Sequence, residues 1–164
     1  MRILFLGDVV GVSGCSKLLN NLKSQIEKEK INFVIVNGEN ASETGVGLTK
    51  EICQDFYNCG VNVITTGNHV WDQKEIMNYI DKENKLLRPK NLFEPAPGKG
   101  FEIYESDKNI KIGVLNLMGN VFMKKCEDVF EASKKFIKTY KLKKDYDLLI
   151  VDFHGEITSE KNAI

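Results

Sequence analysis

The chain has 164 residues, with 42% hydrophobic and 28% charged side chains and 23 basic groups balancing 23 acidic ones. That size suits one globular domain, and the composition excludes wholesale disorder. A formal net charge of zero removes the electrostatic case for a dedicated nucleic-acid binder, and no apolar run reaches membrane-spanning length.

Met1 leads directly into the strand-like Arg2–Leu6 and not into a signal peptide. "RILFLG" is a continuous apolar run suited to a buried parallel strand. Cys15–Lys30 then places Leu18, Leu19, Leu22 and Ile26 on one face of a predicted amphipathic helix. "NFVIVNG" reads as a second strand, Leu48–Cys59 as a helix and "VNVITTG" as a third strand. Asp72–Ile80 reads as a short helix with Asp72 in position to cap it. All three prolines fall in "RPKNLFEPAPGKG", which must be largely irregular. "FEIYES" and "IKIGVLNL" around "DKN" predict a hairpin, Glu127–Tyr140 a helix, and "DLLIVDFHG" a last buried strand.

Strands alternating with amphipathic helices imply an α/β sheet with parallel segments, covered on both faces. After the last strand, "GEITSEKNAI" is read as stopping before another helix can cover the sheet. The four cysteines, Cys15, Cys53, Cys59 and Cys126, contain no C-x-x-C pair. They are expected to be reduced thiols of a cytoplasmic protein.

Four strand ends share one design, a hydrophobic run followed at once by small residues and donor side chains. They are Gly7-Asp8, "NGEN" at Asn37–Asn40, "TGNH" at Thr66–His69 and "DFHGE" at Asp152–Glu156. Ligands of open α/β sheets gather outside the carboxyl ends of strands, so these tips can converge. Asp8, Glu39, Asn68 and His154 offer oxygen and imidazole donors suited to Mg, Mn, Fe or Zn. A carboxylate shared by two cations fixes their spacing at ~3.5–4 Å, useful for phosphate-ester hydrolysis, and Glu39 is the leading candidate for that bridge. The only two histidines, His69 and His154, both fall at strand tips; a bland alternative makes them partly buried and satisfied by local hydrogen bonds. "GDVVGVSG" lacks the glycine spacing of a Rossmann or P-loop nucleotide site.

"ILFLGDVVG", "VNGENASETGVGLT", "ITTGNHVWDQKEI", "RPKN", "NLMGNVFM" and "VDFHGEITSEK" together resemble the YmdB-like branch of the calcineurin-like metallophosphoesterases, from Met1 to about Lys161. The resemblance implies a metallophosphoesterase-type four-layer α/β sandwich, C-terminally incomplete, with residues 1–164 as the N-terminal portion of a single domain. It implies a metal-dependent phosphodiesterase hydrolysing 2′,3′-cyclic nucleotides by metal-activated hydroxide attack, weak or inactive in this shorter form. Two divalent ions are implied, Mn or Fe favoured, with Mg and Zn as further candidates. Asp8 would ligate one metal, Glu39 both, and Asn68 with His154 the second. His69 would be the catalytic acid or an electrostatic partner of the phosphate, and Asn40 would lie near the phosphate. The implied partners are a small cyclic nucleotide or phosphodiester, and either a homo-oligomer or a complementary C-terminal fragment. Relatives carry a "GTHTHV"-like motif whose two histidines this chain lacks, and Asn120 stands where many have arginine. The competing readings are a non-catalytic remnant or interaction domain, and an unrelated nucleotide-binding α/β domain.

Overall fold

The computed structural model describes residues 1–106 and 108–164; Asp107, in the expected "DKN" turn, lies outside the described residues. Strand β1 (Ile3–Leu6) is followed by helix α1 (Gly11–Glu29), β2 (Phe33–Asn37), α2 (Lys50–Asn58) and β3 (Val63–Thr65). Next come the one-turn α3 (Ile76–Tyr79), a 3-10 turn at Ile80–Lys82 and the two-residue β4 (Leu86–Leu87). The second half contains β5 (Phe101–Glu105), β6 (Lys111–Met118), α4 (Val129–Thr139), β7 (Leu148–His154) and α5 (Thr158–Ala163).

The strands form two sheets. The first is parallel, in the order β1-β2-β3-β4. The second has the order β5-β6-β7, with β5 antiparallel to β6, as expected for the hairpin, and β7 parallel to β6. Side-chain alternation in β2 and β6 explains how the sheets stack. Val34 and Val36 face outward and pack with Leu18 and Leu22 of α1 and Phe56 of α2. Phe33 and Ile35 face inward and meet Ile112 and Val114 of β6. On the far side of β6, Leu115 and Leu117 pack with Val129 and Phe136 of α4. The layers therefore run helix, sheet, sheet, helix, the four-layer α/β sandwich.

Helix ends follow local chemistry. Thr49 caps α2 by accepting from the Ile52 amide, and Asp128 caps α4 by accepting from the Glu131 amide. Asp72 does not cap a helix, because its carboxylate is engaged by His69 and Lys124 and helical structure begins only at Ile76. The proline-rich segment is irregular yet ordered. Arg88, 4% exposed, donates to the carbonyls of Pro89, Ala96 and Pro97 and to Glu94, which ties the loop to one buried guanidinium. Asn91 is fully buried and grips both the amide and the carbonyl of Met118 at the end of β6.

Contrary to the expectation that helix is lacking after the last strand, α5 follows β7. Its buried Glu160 reaches back to the amides of Asn120 and Val121. Among the described residues, the strands β1 and β7 each pair on one side only. They lie on the same flank, since Asn37 at the end of β2 donates to Asp152 of β7 at 2.9 Å.

Candidate metal and phosphate site

The carboxyl ends of β2, β3 and β7 deliver three donor side chains to one point. Glu39, two residues beyond β2, is 0% exposed. Its Oε1 accepts the backbone amide of His69 at 2.8 Å. Its Oε2 lies 2.8 Å from His154 Nε2, an ion-pair distance, but without the alignment of a hydrogen bond, so this buried oxygen is left without a hydrogen-bond partner. His154 Nε2 also lies 3.0 Å from Asn68 Oδ1. The approach depends on Gly67, where a Cβ would overlap Glu39 Oε2 and the His154 ring. Burial works against a charged His154, but contact with Glu39 and the charges of Asp152 and Asp8 outweigh it and raise its pKa above the ordinary imidazole value.

His69 points elsewhere. Its Nδ1 is 2.5 Å from Asp72 Oδ2, and Lys124 Nζ donates to Asp72 Oδ1 at 3.0 Å. The bonds from His69 and Lys124 hold the Asp72 carboxyl below the usual carboxylate range despite some desolvation. With Nδ1 turned to Asp72, the ring is fixed in orientation and Nε2 remains for other chemistry.

Asp8 is exposed at the tip of β1 and accepts from Asn40 Nδ2 at 2.9 Å. Thus Glu39, Asn68 and His154 converge, while Asp8 and Asn40 form a pair on the adjoining tips. Asp152, one strand position before Phe153, is held by Asn37. Burial raises its pKa against the opposing hydrogen bonds from Thr65 and Asn37.

The donor set fits a divalent cation. A fully buried carboxylate oxygen without a hydrogen bond, an amide oxygen and an imidazole nitrogen share one small space, with glycine leaving the room. Among the described residues no three His, Cys, Asp or Glu side chains cluster closely enough to form a metal site by themselves; the third donor here is Asn68.

Residues 4–164 match the family described as YmdB-like protein. The chain belongs to that family. This membership excludes the unrelated nucleotide-binding domain. The chain is 40% identical over 164 residues to the 2′,3′-cyclic-nucleotide 2′-phosphodiesterase of Bacillus subtilis (strain 168), covering 100% of this chain and 61% of that protein. It is 39% identical over 169 residues to a Mycoplasma pneumoniae protein named as a phosphatase/phosphodiesterase, covering 99% and 58%. The crystal structure of a hypothetical protein from Thermus thermophilus superposes with a TM-score of 0.89 at 34% identity, over 99% of this chain and 61% of that one. A Mycoplasma pneumoniae structure described as a novel phosphatase gives 0.88 at 38% identity, over 99% and 58%. The chain thus spans about three fifths of the length of the curated relatives it matches.

Within this YmdB-like chain, the sequence alone does not announce Asp72, Lys124 and Glu160 as parts of the site and its supports, and Asp152 enters only as the first residue of the "DFHGE" strand end. "HVWD" carries a signal for the first of these, since a three-residue turn returns an aspartate to its histidine, but a helix cap explains the same spacing. Lys124 reaches Asp72 across 52 positions, which no local pattern announces.

Proposed function

We propose that this chain forms the cation- and phosphate-binding part of a metal-dependent phosphodiesterase acting on 2′,3′-cyclic nucleotides, weakly active or inactive in this form. The observation that carries the reading is the fully buried Oε2 of Glu39, which makes no hydrogen bond among the described residues and lies 2.8 Å from His154 Nε2, itself 3.0 Å from Asn68, in a chain whose Bacillus subtilis relative is named for that reaction. Asp8, Glu39, Asn68 and His154 would hold two divalent cations, with Glu39 shared between them. Mn or Fe is favoured for a mixed oxygen and nitrogen set, with Mg and Zn as the other candidates. Such ions supply positive charge to a phosphoryl group and lower the pKa of water. His69, oriented by Asp72, would give a proton from Nε2 to the departing ribose oxygen, the task of a general acid. Asn40, whose Nδ2 already donates to Asp8, would give its second amide hydrogen to a phosphate oxygen.

The partner reading follows from the flank where β1 and β7 have unpaired edges. A complementary polypeptide or a second copy would pair there. Among the described residues no helix is long and apolar enough to cross a membrane, and four buried free thiols suit the reducing cytoplasm.

Calorimetric titration with Mn tests the cation assignment. Glu39→Ala should weaken binding by more than roughly 10-fold, and unchanged binding would remove Glu39 from the site. In the same assay His69→Ala should retain the metal, while any hydrolysis of a 2′,3′-cyclic nucleotide falls. Loss of metal from His69→Ala with retention in His154→Ala would reverse the assigned roles of the two histidines.

A further inference from the structure

Phe122 combines two features that rarely occur together. Its side chain is 86% exposed, and its backbone has φ +62. A bulky residue in the left-handed region is strained, and an exposed ring recovers nothing by burial, so such a position points toward function more than toward folding. Glycine or asparagine would satisfy the turn with less strain.

The loop around it is fixed on both sides. Upstream, the buried Glu160 carboxylate accepts the Asn120 amide at 2.9 Å and the Val121 amide at 3.3 Å. Asn120 in turn accepts the Val129 amide at 2.9 Å and donates to the Glu127 carbonyl at 3.1 Å. Downstream, Lys124 is tied to Asp72, whose other oxygen holds His69. The loop also starts beside the candidate site, because Met118 at the end of β6 is in register with His154 of β7. Phe122 is therefore an aromatic ring held toward solvent by a braced loop, two residues from a lysine that touches the support of His69.

We propose that Phe122 is the specificity-determining contact for the base of a nucleoside phosphodiester, with its ring stacking on the nucleobase while the phosphate occupies the site of Glu39, Asn68, His154 and His69. This rests on the phosphodiesterase reading and goes beyond it. Stacking reads the flat face that all bases share, so Phe122 selects nucleosides over base-free phosphodiesters and discriminates little among bases. The strained backbone is what aims the ring away from the protein.

The test compares binding of adenosine 2′,3′-cyclic monophosphate and glycerol 1,2-cyclic phosphate, which lacks a base. Calorimetry in the presence of Mn needs no turnover. The full chain is used as wild type, Phe122→Ala and Phe122→Trp, each checked for an unchanged melting temperature. Phe122→Ala should bind the adenosine ligand roughly 5- to 100-fold more weakly, with affinity for the glycerol ligand unchanged, and Phe122→Trp should bind both like wild type. Equal affinity of the wild type for the two ligands would overturn the stacking assignment while leaving the phosphate site intact. An equal loss of both ligands in Phe122→Ala, or a change only in self-association by sedimentation, would overturn it as well. Failure of the wild type to bind either ligand would defeat the phosphate reading and the stacking assignment with it.

Discussion

At Gly67 a single missing side chain lets a carboxylate from β2 and an imidazole from β7 share a space beside β3. Gly67→Ala forces Glu39 or His154 to shift, an overpacking that costs about 1–3 kcal/mol. Urea unfolding should detect that loss, and Mn titration should show weakened binding in the same variant. Asp72 gives a second residue-scale expectation. Its folded pKa lies below the unfolded value because His69 and Lys124 bond to it. The charged form therefore favours the folded state, and that contribution is present above about pH 4 and lost as pH falls through the lower folded value. Wild-type stability should fall more steeply than that of Asp72→Asn between neutral and strongly acid pH. Parallel urea midpoints for the two proteins across that range would show that the pairing is energetically idle.

Elements of equal hydrophobicity have very different surroundings. β2 reads FVIVN with every residue buried, whereas β1 reads ILFL with none fully buried, and in LLIVDFH of β7 only Asp152 is buried. Among the described residues, β1 and β7 end their sheets on one flank, whereas β2 lies between β1 and β3. Val151, 40% exposed, lies on β7, one of these end strands. Val151→Lys should reduce concentration-dependent self-association in sedimentation, because a charge on an open edge opposes strand pairing. Unchanged association would exclude this edge as the contact. The long strands and helices were legible from apolar runs and helical periodicity. The two-residue β4 and six-residue α5 were not, because their existence depends on partners distant in sequence. In the site, Glu39, Asn68 and His154, which the structure brings together, could be named from their places at strand ends. The Lys124–Asp72–His69 connection required tertiary structure, since its lysine comes from a loop beyond the second sheet's central strand.

Across the whole molecule, three apolar clusters lie between and outside the sheets, and all four free thiols are buried. Burial raises the pKa of Cys15, Cys53, Cys59 and Cys126, so the thiolate is scarce as well as inaccessible. A colorimetric disulfide reagent should therefore label the native protein slowly and the urea-unfolded protein at all four positions. Rapid native labelling would contradict the burial of the four thiols. The layered arrangement also has a consequence for the order of events during synthesis. Glu39 and Asn68 project from the first sheet, whereas His154 belongs to the second, 86 positions after Asn68. A nascent chain that has completed its first four strands has only part of the donor set. The imidazole arrives when the last strand has been made and has found its place beside β6, so on the proposed metal role cation capture would wait for a chain whose two halves have already met.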